Sequence, residues 1–341
     1  MTDTRFDVLC IGNAIVDILA RADDDFLVRE GVTKGMMRLI EAEDAERIYA
    51  AMGPAVETSG GSAGNTAAGI GSFGARAAYI GKVADDRLGD SFAHDMKALG
   101  IHFATGRLVG GAPTARCFVL ITPDGERTMN TYLGACRELS SADIDPAVVS
   151  AAEITYLEGY LWDPPAAKEA FRKASQIAHA AGRRVALTLS DSFCVDRFRP
   201  EFLDLVRSGT VDIVFANETE LKALYETSDR GTALDLLARD AALAAVTLGE
   251  EGAIVLEGAA RHRAPAGEVE RIDDLTGAGD QFAAGFMVGL TRGLDLTTAA
   301  RLGCMAAAEV IQHIGPRPAV RLVDLAAEQG IALGAPARKT A

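Results

Sequence analysis

The rhythm of the chain restricts its fold more than any single motif. Short apolar runs recur as "FDVLCIG", "ARAAYIGKV", "EITYLEGY", "RVALTLSD", "VDIVFAN" and "LAAVTLGE", and segments with helical spacing lie between them. One such segment, "PAAKEAFRKASQIAHAAG", has Pro164 and Pro165 at its start and Gly182 after its end, and "RPEFLDLVRSG" is likewise closed by glycine. Apolar runs alternating with amphipathic helices are the pattern of β-α units feeding a mostly parallel sheet. At 341 residues and 49% hydrophobic content the chain can bury a large core, so residues 1–341 are expected to form one big α/β domain with additions.

One stretch breaks the rhythm. "PTARCFVLITPDGERTMNTYLGA" reads as two strands around the turn "TPDGE", a hairpin with no covering helix. With a period of two, Arg127, Met129, Thr131 and Leu133 share one face, and Cys117, Val119 and Ile121 face the same way across the hairpin. A small sheet with an apolar face and one arginine is expected to act as a lid, inserted as segments of about 16–40 and 112–135.

The net charge of −14, with no basic run, argues against nucleic acid and anionic membrane as partners, since both need a cationic footprint. Any phosphate site must then use backbone N–H groups, a metal ion and a few local arginines. Cys10, Cys117, Cys136, Cys194 and Cys304 are odd in number and form no C-x-x-C pair, which indicates neither a disulfide framework nor a zinc site. With no signal-like N-terminus and no uninterrupted apolar span, a cytoplasmic protein is expected.

Several short motifs carry chemistry. "DLTGAGDQFAAGF", residues 274–286, sets Gly277, Ala278 and Gly279 bare at a helix start, where unpaired N–H groups attract anions. Asp280 repels a phosphate there, and is better placed to take a proton from an attacking hydroxyl, so the segment reads as phosphoryl transfer. "GGSAGNTA" starts a helix, either simply capped by Ser62 or using Gly61 and Asn65 to hold a polyhydroxyl ligand. Asn13 and Asp17 in "GNAIVD" follow the first strand, where open parallel sheets bind ligands; a turn residue and a solvated acid are the plain alternative. Asn217 and Glu220 in "FANETE" suit a helix cap, and a carboxylate there also suits hydrated magnesium. "TLGEEG", with Thr247, Gly249 and Gly252, is an ordinary hairpin connection or an approach for nucleotide phosphates. "GIGSFG", residues 69–74, matches a dinucleotide fingerprint but precedes a strand instead of following one, so helix packing and a glycine stop explain it better.

Taken together, "GGSAGNTA", "NETE", "TLGEEG" and "DLTGAGD" resemble, in that order, the ribokinase or PfkB family of carbohydrate and nucleoside kinases, over about residues 6–320. Leu275 departs from the small or hydroxylated residue usual there. The resemblance implies a ribokinase-like three-layer α/β fold with a mostly parallel central sheet and a small β-sheet lid. It implies ATP and Mg2+ as cofactors, Asp280 as the base, and the N–H groups of Gly277, Ala278 and Gly279 on the transferring phosphoryl. Arg127 would contact phosphate, Asn217 and Glu220 would organise magnesium and nucleotide, and Thr247, Gly249 and Gly252 would border the ATP site. Asn13, Asp17, Gly61 and Asn65 would hold sugar hydroxyls. Family members often bind K+, here at Asp274 and Thr276 with Val310, His313 and Gly315 as carbonyl donors, although Ala319 replaces a common hydroxyl donor.

Ser62, "GNAIVD" and the hairpin segment are most similar to the adenosine kinase subgroup. By that similarity Ile15, Cys117, Met129, Thr131, Leu133 and Phe193 would lie along a nucleoside, because an apolar wall suits a purine better than a free sugar. The expectation is ATP-dependent phosphorylation of the adenosine ribose 5′-hydroxyl. The alternatives are another nucleoside, ribose or fructose as small-molecule acceptor, or a sensor that binds without turnover. The exposed lid edge leaves monomer and homodimer both open.

Overall fold

Successive side chains of the first strand go to opposite sides: Val8 and Cys10 enter one apolar cluster, Leu9 and Ile11 another. That alternation, repeated in neighbouring strands, gives a sheet with an apolar layer on each face. The computed structural model describes residues 4–334. Its strands are β1 (Phe6–Ile11), β2 (Ile15–Arg21), β3 (Met37–Leu39), β4 (Ala55–Gly60), β5 (Ala77–Ile80), β6 (His102–Phe103), β7 (Ala115–Ile121), β8 (Arg127–Tyr132), β9 (Ala152–Glu158), β10 (Arg184–Thr188), β11 (Ile213–Asn217), β12 (Leu243–Thr247), β13 (Ala253–Glu257) and β14 (Ala260–Ala264).

The large sheet has the order β14-β13-β12-β11-β10-β9-β1-β5-β6. All neighbours from β12 to β6 run parallel, and β13 and β14 add an antiparallel edge. Helices Ser62–Ser72, Ala278–Thr291 and Leu296–Val310 cover one face through residues such as Ile70, Phe282 and Leu302; helices Pro165–Ala180, Ser192–Arg207 and Glu218–Leu224 cover the other through Phe171, Phe202 and Leu221. The result is the three-layer α/β arrangement. From β1 the chain builds β5 and β6 on one side, then crosses to β9 on the other. The carboxyl end of β1 is therefore a topological switch point, where such sheets leave a crevice.

The second sheet, β3-β8-β7-β2-β4, stands apart. β7 and β8 form the expected hairpin, with Cys117 opposite Thr131 and Val119 opposite Met129. β4, "AVETSG", pairs antiparallel with β2 and lies outside the two segments expected to build this sheet. It is an edge strand, exposed at its start and buried at Ser59 and Gly60, and its residues carry no alternating apolar pattern. One side of the sheet is closed by helices Asp24–Arg29 and Ala42–Ala51 over Ile18, Phe118 and Leu120. The other side, bearing Asp17, Cys117 and Met129, faces the switch point across an open cavity. Among the described residues no helix is long and apolar enough to cross a membrane. All five cysteines are free and buried.

Candidate active site

The loop after β1 is held by a carboxylate. Asn13 donates from its backbone N (3.3 Å) and Nδ2 (2.7 Å) to Glu158 Oε1, and Ala63 N donates to Glu158 Oε2 at 2.8 Å. Glu158 ends β9, beside β1, so it joins the switch point to the start of helix Ser62–Ser72. Burial pushes its carboxyl up to about 7, against the pull of the Ala63 and Asn13 hydrogen bonds. The sequence reading passed over Glu158. An acid closing the apolar run "EITYLE" at a parallel strand's carboxyl end was the available signal.

Helix Ser62–Ser72 begins on Gly61, whose φ of +82° an L side chain rarely adopts. Ser62 is thus not the cap. It occupies the first helical position, and its Oγ donates to Asp280 Oδ1 at 2.6 Å. Asn65, one turn on, donates from Nδ2 to Asp280 Oδ2 at 3.2 Å, while its Oδ1 is buried without a partner. That orphan oxygen asks for a donor from a ligand. The glycines of "GIGSFG" do pack and stop this helix: Gly69 lies against Gln281, and Gly74 follows the end with φ +72°.

Asp280 lies in the first turn of helix Ala278–Thr291. Gly277 caps this helix in the left-handed conformation, with Pro316 so close that a Cβ would stand 2.5 Å from its carbonyl oxygen. Ala278 and Gly279 follow on the cavity, and nothing lies within 4 Å of where a Gly279 Cβ would be. The helix start therefore turns the N–H groups of Gly277 and Gly279 to an open space with a carboxylate beside them, while Ala278 N donates to the Leu275 carbonyl at 3.3 Å. Burial raises the Asp280 carboxyl to about 6, opposed by the Ser62 and Asn65 hydrogen bonds. A carboxylate with that proton affinity is suited to accept a proton near neutrality.

The cavity is about 1400 Å³, more than one small ligand needs, so two fit end to end. At one end Asn13, Ile15, Asp17, Gly61, Ser62 and Asn65 line it, with Cys117, Met129, Thr131 and Leu133 from the small sheet. Phe193, 60% exposed, also lines the cavity, and the Arg197 guanidinium lies 5.4 Å from its ring centroid. Burial raises the Asp17 carboxyl to about 7; Arg317 and Arg127 oppose this, and Asp280 adds to it. At the other end lie Asn217, Glu220, Thr247 and Gly249. Asn217 and Glu220 form a capping box, Asn217 donating from N (2.9 Å) and Nδ2 (2.6 Å) to the two Glu220 oxygens. Burial lifts Glu220 to about 7, opposed by the Asn217 backbone hydrogen bond, with Asp191 adding to the rise.

Three sequence candidates sit behind the wall. Gly252 does not line the cavity; a Cβ there would meet the Ala264 carbonyl oxygen at 2.2 Å, so it serves the approach of the β12–β13 turn to the end of β14. Arg127 ion-pairs through Nη1 with Asp274 Oδ2 at 2.9 Å, and its Nη2 is buried without a partner. Asp274 also accepts from Thr276 N (3.1 Å), Thr276 Oγ1 (2.7 Å) and Gly315 N (2.9 Å). Of the remaining residues around it, Val310 is buried, His313 pairs with Glu309 at 3.2 Å, and Ala319 N donates to Glu309 Oε1. Thr276 and the exposed Leu275 lie on the cavity wall. Among the described residues no group of three or more His, Cys, Asp or Glu side chains forms a metal cage.

Residues 34–321 match the model of the pfkB family of carbohydrate kinases. The structure is similar to that of an adenosine kinase from Sinorhizobium meliloti, with 60% identity, a TM-score of 0.90, and 96% of this chain and 100% of that chain covered. It is also similar to a probable sugar kinase from Rhizobium etli, with 55% identity, a TM-score of 0.91, and coverage of 96% and 99%. The adenosine kinase of Saccharomyces cerevisiae is 26% identical, over 91% of this chain and 96% of that one.

Proposed function

The chain belongs to the pfkB family of carbohydrate kinases, and from that premise we propose that it is an adenosine kinase, transferring the γ-phosphoryl of ATP to the ribose 5′-hydroxyl of adenosine. The observation that carries the reaction is Asp280, oriented by Ser62 and Asn65 at the open start of a glycine-capped helix. The acceptor is argued from the part of the cavity beside Asp280, where polar groups that suit ribose adjoin the apolar wall of the small sheet, which suits a purine.

Each residue then has one task. Asp17, with the orphan Oδ1 of Asn65, holds the ribose hydroxyls, and Asp280 takes the proton of the attacking 5′-hydroxyl. The N–H groups of Gly277 and Gly279 receive the charge that develops on the transferring phosphoryl. Arg127, held by Asp274 behind the cavity wall with its Nη2 unpartnered, supplies positive charge that favours phosphate in front of it. Thr247 and Gly249 leave room for the nucleotide. Magnesium bound to the nucleotide would neutralise phosphate charge. Because Glu220 is already engaged by Asn217, these side chains suit a hydrated ion held through water and not a direct carboxylate cage. The side chains give no support to potassium at Asp274, whose two oxygens are taken by Thr276, Gly315 and Arg127.

The small sheet, acting as a lid, would exclude water, which otherwise competes as acceptor. A coupled ADP-release assay over adenosine, inosine, guanosine, ribose and fructose tests the reading. Adenosine is expected to give the highest kcat/KM; a free sugar outrunning it, or binding of adenosine with no ADP released, would overturn it.

A further inference from the structure

The helix that carries Asp280 is packed into the core through apolar side chains such as Phe282, Phe286 and Met287, with one exception in its first turn. Gln281, the residue after Asp280, is fully buried, and its amide is used unevenly. Nε2 donates to two carbonyls, Asn65 O at 3.0 Å and Pro316 O at 3.0 Å, whereas Oε1 is buried with no hydrogen-bond partner among the described residues. An orphan buried oxygen weakens a fold, so stability alone is a poor reason for an amide at this position.

Both carbonyls belong to segments that build the reacting centre. Asn65 is the residue whose Nδ2 holds Asp280 Oδ2 at 3.2 Å, so neighbours on one helix bind the side chain and the main chain of a single residue on the other. Asp280, Gln281 and Asn65 thereby close a ring. Pro316 packs on Gly277, where a Cβ would stand 2.5 Å from the Pro316 carbonyl oxygen, and the Gln281 backbone N donates to the Gly277 carbonyl at 2.9 Å. The loop that brings Pro316 is itself fastened on both sides, Gly315 N donating to Asp274 Oδ2 at 2.9 Å and Ala319 N to Glu309 Oε1 at 2.9 Å. Gly69 lets the two helices close on the amide: a Cβ there would meet Gln281 Oε1 at 2.1 Å and the Ala284 Cβ at 2.9 Å. Gln281 does not line the cavity, so whatever it contributes passes through these neighbours.

We propose that Gln281 is a positioning residue for phosphoryl transfer: its buried amide locks the helix bearing Asn65 to the helix bearing Asp280, and so holds the base at a fixed place beside the N–H groups of Gly277 and Gly279. The inference rests on reading Asp280 as the base. It makes turnover, and not acceptor binding, depend on an amide that touches neither substrate.

Gln281→Met keeps the length of the side chain and removes both hydrogen bonds; Gln281→Asn keeps an amide that is too short to reach both carbonyls. Gln281→Met is expected to lower kcat about thirtyfold, while the adenosine Kd, from calorimetry without nucleotide, changes by less than about threefold. Gln281→Asn should fall between that variant and the unaltered protein. In the Asp280→Asn background, where no base remains to be placed, Gln281→Met should lower kcat further by less than about threefold. An amide that only supported the fold would cost the same factor in both backgrounds. An unchanged kcat in Gln281→Met would overturn the inference, as would an equal loss in the two backgrounds or a weakening of adenosine binding as large as the fall in kcat. If Gln281→Met does not fold, a normal kcat in Gln281→Asn would overturn it alone. Absence of adenosine turnover by the unaltered protein, or normal turnover by Asp280→Asn, would instead count against the reading on which it rests.

Discussion

Asp280 receives hydrogen bonds on both oxygens, one from Ser62 and one from Asn65, and both donors come from the helix that starts at the switch point. Its replacement by Asn keeps the shape and removes the proton acceptor. Asp280→Asn is expected to lower kcat by about 10³-fold, within the range for loss of a positioned base, while adenosine affinity by calorimetry changes by only a few-fold. A variant with near-normal turnover would contradict the assignment. Much at this scale was legible: "GAGD" and "GGSAGNTA" signal an anion cradle and a helix start from local chemistry alone. Glu158 and Gln281 were not, because a carboxylate in "LEGY" or an amide in "GDQF" reads the same whether solvated or buried. Only long-range packing desolvates them.

At the level of elements, besides the ion pair of Arg87 with Glu57 on β4, the small sheet is tied to the main body by Arg127 on β8 with Asp274 in the loop before the helix that bears Asp280. Cutting either partner should loosen the same tether. Arg127→Met, Asp274→Asn and the double variant form a cycle in which kcat/KM for ATP is expected to be non-additive by about 1 kcal/mol or more, as for groups in direct contact. Strict additivity would show that the two act separately. The parallel strands and the β7–β8 hairpin were readable because apolar runs and a turn sequence are local signals. β4 was hidden because a partly exposed edge strand needs no apolar alternation, and the place of Gly252 off the cavity wall was hidden because its close approach to Ala264 is a tertiary contact.

Across the whole molecule, the cavity gathers acids whose protons are held more tightly than usual. Asp17, Glu158 and Glu220 stand at about 7 and Asp280 at about 6, burial being the leading cause in each. A carboxyl with a raised folded pKa contributes stability while protonated, and loses it as pH rises through the folded value. Asp7, Asp86 and Asp240 are shifted the other way by their partners, and lose their contribution only as pH falls through the ordinary carboxylate range. The melting temperature without ligand should therefore fall between about pH 4.5, just above the unfolded carboxyl values, and about pH 7, and calorimetry of Glu158→Gln should show a shallower fall. A flat or rising profile would refute the linkage.

Strand β1 is made first, yet its loop reaches completion only when the helix bearing Asp280 arrives from near the other end of the polypeptide. A chain without that helix holds only a half-built crevice, lacking the carboxylate that Ser62 and Asn65 orient. Truncation anywhere ahead of that helix would leave fragments that are catalytically silent, however well their early strands assemble.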